Sequence, residues 1–121
     1  MHKLLFVYNA DSGLLNTMKD WAHKLASPST YPCRLCALTY DNLGMRRPWR
    51  DFIRELGVEV DFLHRDELEQ RHAIKNAPLP AAFLQRNGQM SVWITSNEMN
   101  ACDSVEALQA LVSRKIAREK G

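Results

Sequence analysis

Two apolar runs, residues 81–85 and 90–95, meet across Asn87-Gly88, and that dipeptide leaves the chain few ways to continue. A tight hairpin turn needs positive φ at its centre, which Asn and Gly tolerate, so two strands flanking Asn-Gly predict an antiparallel hairpin. Residues 3–8 are continuously apolar after Lys3, the pattern of a strand covered on both faces and therefore central in a sheet. A doubly covered strand needs a layer on each side of it. With 121 residues, 45% of them hydrophobic and 25% charged, the chain has the material for one domain with its own core.

The helices that would form those layers are legible as stripes. Residues 9–13 break the first strand, and Asp11 or Ser12 can cap a helix whose stripe is Leu14, Leu15, Met18, Trp21, Ala22 and Leu25. A short, mostly apolar segment, Cys36 to Tyr40, is expected as a second strand, after which residues 41–44 turn the chain. A helix over about 46–56 tolerates Pro48 in its first turn, buries Trp49, Phe52, Ile53 and Leu56, and stops at Gly57. Residues 58–62 alternate strictly, which predicts an edge strand with one wet face. Asp66 and Glu69 open a short helix to about His72, and residues 73–79 form a loop. In the second hairpin strand Met90, Val92 and Ile94 are expected to face inward, with Ser91, Trp93 and Thr95 outward. A last helix starts at Asp103 or Ser104 and buries Val105, Leu108, Leu111, Val112 and Ile116. The predicted order is βαβαβαββα, an α/β fold with a mixed sheet, helices on both faces and a C-terminal hairpin plus helix, as a single domain over residues 1–121.

Chemistry-bearing residues concentrate at Cys33 and Cys36, a C-x-x-C spacing. Two thiols so spaced can close a small disulfide ring or can hold one soft metal ion, and a single pair does not choose between the two. Zinc asks for four ligands, so His23, His64, His72 or Cys102 would have to converge on the pair, or two chains would have to share the ion in a homodimer. The plain alternative is that both thiols pack as small hydrophobes. Three cysteines, with no apolar run near the N-terminus long enough for a signal peptide or a membrane span, fit a cytoplasmic protein without a membrane partner. Its partner would then be another protein or a small thiol.

From Pro80 to Gly88 the chain reads Pro-Ala-Ala-Phe-Leu-Gln-Arg-Asn-Gly, followed by a strand and an amphipathic helix. In this stretch it resembles the thioredoxin-like superfamily. The resemblance implies a three-layer thioredoxin-like fold in which Leu79-Pro80 is a cis peptide facing the site. It departs from that family in its cysteines. The strand-to-helix turns that would carry the redox pair hold Asn9, Asp11 and Ser12 in one case and Asp41 and Asn42 in the other, with no cysteine. If the first two strands are parallel, those turns share one pole with Pro80 and Cys102, while Cys33 and Cys36 enter at the other. The chain also resembles a set of short bacterial proteins sharing the phrases Leu5 to Gly13, Ser27 to Cys33 and Cys36 to Tyr40, a resemblance that implies no activity. Some of those proteins are labelled GTPases, but the phosphate-cradling G-x-x-x-x-G-K-[ST] loop is absent.

Two functions follow. In one, Cys33 and Cys36 perform thiol-disulfide exchange or bind a soft metal such as zinc. In the other, a noncatalytic adaptor binds a protein or small ligand at the pole carrying Asn9, Asp11, Ser12, Asp41, Asn42 and Pro80, where the bland reading of Asp11 and Ser12 is a helix cap. Sixteen basic against fourteen acidic residues argue against a dedicated nucleic-acid protein. Arg46, Arg47 and Arg50 around Trp49 form the one local basic cluster, whose plain reading is a solvated helix face and whose alternative is an anion or nucleic-acid contact. His64 and His72 are expected to face solvent.

Overall fold

The computed structural model describes residues 2–9, 34–41 and 44–120. Strand β1 (His2–Val7) lies at the centre of a four-stranded mixed sheet with β4 (Glu59–Leu63), β5 (Ala81–Arg86) and β6 (Gln89–Ile94), in the order β4-β1-β5-β6. It runs parallel to β4, pairing Leu4 with Val60 and Phe6 with Phe62, and antiparallel to β5, pairing Leu5 with Phe83. Its apolar run explains that position. Leu4, Phe6 and Tyr8 enter a larger core cluster on one face while Leu5 and Val7 enter a smaller one on the other. The chain is thus α/β, with helices over both faces of a mixed sheet.

Helix α2 (Arg47–Glu55) and helix α5 (Val105–Lys120) supply Trp49, Leu108, Leu111 and Val112 to the larger cluster. Helix α3 (Arg65–His72) covers the other face through Leu68. Gly57, at φ 73°, ends the segment after α2 as a left-handed glycine should. Asn87 and Gly88, at φ 55° and 81°, make the expected turn between β5 and β6. Strand β4 is an edge strand with Glu59 and Asp61 on its wet side, where Lys3 reaches Asp61 at 3.4 Å. The Leu79–Pro80 peptide is cis, and Pro80 is buried.

Two expectations need correction. Residues 34–39 form helix α1 (Arg34–Thr39), whereas a strand was expected from Cys36 to Tyr40; only Tyr40–Asp41 is extended, as β2, pairing with β3 (Gly44–Met45). Leu35, Leu38 and Thr39 recur at i, i+3 and i+4 and are all buried, a helical period that a short apolar run disguises. The Thr39 hydroxyl donates to the Leu35 carbonyl one turn back, at 2.6 Å, which satisfies that buried hydroxyl. The parallel neighbour of β1 is therefore β4.

The second correction concerns β6. Trp93 and Ile94 are both buried and Val92 is 57% exposed, although strict alternation would turn Trp93 outward. Phe83 pairs with Val92 but Ala82 pairs with Ile94, so Trp93 is the extra residue of a β-bulge. A bulge places two successive side chains on one face, and both join the larger core.

Helix α4 (Ser96–Asn100) follows β6 and is closed by a capping box, with the Thr95 hydroxyl accepting from the Glu98 amide and the Glu98 carboxylate accepting from the Thr95 amide. The same carboxylate meets Lys115 of α5 at 3.1 Å. Glu98 is held below the usual carboxylate range, first by the Thr95 amide and then by Lys115; Glu67 is held low by the backbone amide and ring of His64. A carboxyl depressed in the folded state contributes stability above its ordinary value of 4.5 that is lost as pH falls through the lower folded value. Urea midpoints measured downward from about pH 6 should therefore fall less steeply below about pH 4.5 in the Glu67→Gln/Glu98→Gln double variant than in the parent. Equal slopes would remove these two carboxylates from the acid response.

Candidate functional site

Strand directions decide which loops meet. Strands β1 and β4 end together, with the Tyr8 amide donating to the Leu63 carbonyl at 2.9 Å. Antiparallel β5 begins at that same end, so Asn9, His64 and Pro80 come to one pole of the sheet. Strand β6 also finishes there, which brings Cys102 to the same pole, as expected.

At this pole a cleft of about 730 Å³ opens between Asn9, helix α3 and the segment running from Ile74 to Leu79. Its apolar floor is Leu68, Ile74, Ala77 and Leu79, and its rim carries Asn9, Arg65, Asp66, Glu69, Lys75 and Asn76. Lys75 meets Glu69 across it at 3.6 Å. The segment leaves α3 through Ala73 at φ 57° and turns again at Asn76, φ 59°. These two left-handed residues swing the chain off the helix and back to Pro80, and the cleft is the space they enclose.

Helix α3 is positioned from its other end. The His64 amide donates to the Glu67 carboxylate at 2.9 Å, and the His64 ring meets the same carboxylate. The ring also lies against Tyr8, with centroids 5.5 Å apart. His64 is thus largely enclosed, contrary to the expected solvent position, and its Nε2 is buried without a hydrogen-bond partner among the described residues. A buried imidazole nitrogen left alone costs stability.

The expected site residues divide. Asn9 lines the cleft and Pro80 follows its last lining residue, Leu79. Asp41 ends β2. Asp11, Ser12, Asn42, Cys33, His23 and the helix expected over about 12–26 lie outside the described residues. Cys36 belongs to α1, which packs against α4 on the segment following β6. The pole opposite Pro80, expected for this cysteine on the premise of a strand, is therefore not where its helix lies. Among the described residues no three His, Cys, Asp or Glu side chains converge to hold a metal ion, and Cys102 is buried, with its Sγ donating to the Glu98 carbonyl at 3.5 Å. No described helix is long and apolar enough to cross a membrane.

Sequence reasoning missed Leu68, Glu69 and the Ile74–Leu79 wall. Asn76 carried a weak signal, since Asn is among the few residues that adopt positive φ readily; Ala73 carried none. No family model, curated protein or solved structure matches the chain, so its residues and their arrangement alone carry the functional reading.

Proposed function

We propose that the chain is an atypical thioredoxin-like domain that binds a small ligand, without catalysing its conversion, in the cleft between Asn9 and the Ile74–Leu79 segment. The observation that carries this reading is the cleft itself, opening at the pole that holds Asn9 and Pro80. Pro80 at the head of β5, the Asn87-Gly88 hairpin and helix α5 supply the thioredoxin-like part of the argument. A floor of Leu68, Ile74, Ala77 and Leu79 suits an apolar body, and the amides of Asn9 and Asn76 can both donate to and accept from a polar end.

Amide NMR spectra recorded while titrating a panel of carboxylic acids, amino acids and nucleosides test it. At least one compound should move resonances confined to Asn9, Leu68, Glu69 and residues 74–79, and Ala77→Trp, which fills the half-buried floor, should abolish the shifts while leaving the remaining spectrum in place. A panel without effect on those resonances, or shifts that survive in Ala77→Trp, would overturn the proposal.

A second reading is favoured by one observation: Cys36 is the third residue of a helix whose first residue follows Cys33 in the chain. Thiol-disulfide exchange by this pair predicts a loss of two reactive thiols on mild oxidation, reversed by reductant and abolished by Cys36→Ser, with buried Cys102 unchanged. Zinc binding by the same two thiolates would need further ligands from outside the described residues or from a second chain, and stoichiometric metal in purified protein is its readout.

A further inference from the structure

We infer that the outer face of helix α2 is a docking surface for the phosphate backbone of a nucleic-acid strand, contacted by Arg47, Arg50 and Arg54. The three recur at i, i+3 and i+7, so they form one stripe along the helix, about 10 Å long. Trp49, Phe52, Ile53 and Leu56 occupy the opposite side and fasten the helix to the larger core. All three arginines are exposed. Among the described residues none of them has an ion-pair partner, although Asp51 and Glu55 share the same helix.

The N-terminal end of helix α2 is also built against its own electrostatics, while Arg54 in its last turn accords with them. The N-terminal end of a helix favours negative charge, and α3 and α4 comply, with Asp66 and Glu67 in one first turn and Glu98 in the other. Helix α2 has no acidic residue in its first turn and no side-chain cap, and Arg46, Arg47 and Arg50 gather at that end. The positive end of the helix and the guanidinium groups beside it together favour an anionic partner on this face.

Shape and composition select the partner. A convex helix face encloses no small ligand. Among the described residues the one large exposed apolar side chain, Val92, is on β6, so the patch offers a partner charge and no large apolar contact. A phosphodiester backbone needs neither enclosure nor an apolar anchor, only cations repeated along a line, and guanidinium groups match phosphate oxygens two at a time. The chain's near-balanced total charge is compatible with this because the positive charge is local. Such contacts position a strand without reading its sequence.

Fluorescence anisotropy with a labelled 20-base single strand and the corresponding duplex tests the inference. Three phosphate contacts predict a log–log slope of affinity against salt of about −2 for the single strand and nearly −3 for the duplex. The Arg50→Gln/Arg54→Gln variant should bind about tenfold more weakly near 50 mM salt and lose roughly two thirds of the slope. Arg114→Gln/Arg118→Gln removes the same charge from exposed positions of α5 and should change affinity less than twofold. Absence of binding by the parent, equal losses in the two variants, or stronger binding of polyglutamate than of either strand would overturn it, the last by assigning the face to an acidic protein. Unchanged melting temperatures in both variants separate these outcomes from misfolding.

Discussion

Replacing Trp49 with alanine should cost about 3–5 kcal/mol of folding stability, the range for truncating a large aromatic side chain in a packed interior. Trp49 is 0% exposed. Its ring meets Phe6 edge-on with centroids 5.5 Å apart and stacks on Phe52 at 5.7 Å, so alanine would leave a cavity between α2 and the central strand. The indole also carries a buried Nε1 donor with no partner among the described residues. An unmet donor is a cost the folded state already bears. Trp49→Phe keeps the ring contacts and removes that donor, and should cost about half as much or less. Urea midpoints of the two variants give both numbers. A loss below about 1 kcal/mol for alanine would mean that α2 is not fastened to β1 through this ring. Since α2 displays Arg47, Arg50 and Arg54, the alanine variant should also weaken strand binding, through loss of the helix that presents the arginines.

The ring contacts of Trp49 show how much of the fold was open to reading. Apolar residues at helical spacing put Trp49, Phe52 and Ile53 on one face, the unbroken run from Leu4 to Tyr8 put β1 at the centre, and strict alternation in residues 58–62 put β4 at an edge; all three hold. What escaped has physical reasons. A run as short as Leu35 to Thr39 satisfies both helix and strand patterns, and the arbiter is the burial of Leu35, Leu38 and Thr39 together, a tertiary fact. The bulge at Trp93 depends on pairing with β5, so the alternation read from β6 alone turned that residue the wrong way. Of the candidate site, Asn9 and Pro80 were legible because they end and begin strands. The cleft wall was not, because it depends on left-handed backbone at Ala73, where the side chain gives no sign.

Helix α3 tests the link between packing and the cleft most directly. It has one buried side chain, Leu68, at 1% exposure, and its other residues are polar or charged. A helix of eight residues has little stability of its own, so its position rests on Leu68 in the cluster with Leu5, Val7, Leu63, Ala81 and Phe83, and on the His64–Glu67 capping box. Leu68→Ala should cost about 2–5 kcal/mol. Leu68→Met, which nearly conserves volume, should cost less than about 1.5 kcal/mol. Because Leu68 is also part of the cleft floor, the alanine variant should lose ligand-induced shifts at Asn9 and residues 74–79 under conditions where the methionine variant keeps them. Hydrogen exchange adds a readout of position: amides of α3 should open faster in Leu68→Ala while those of α5 change only by the global loss. If α3 and α5 lose protection equally, Leu68 supports the whole fold and has no particular hold on the helix; if the shifts persist in the alanine variant, the ligand does not rest on this floor.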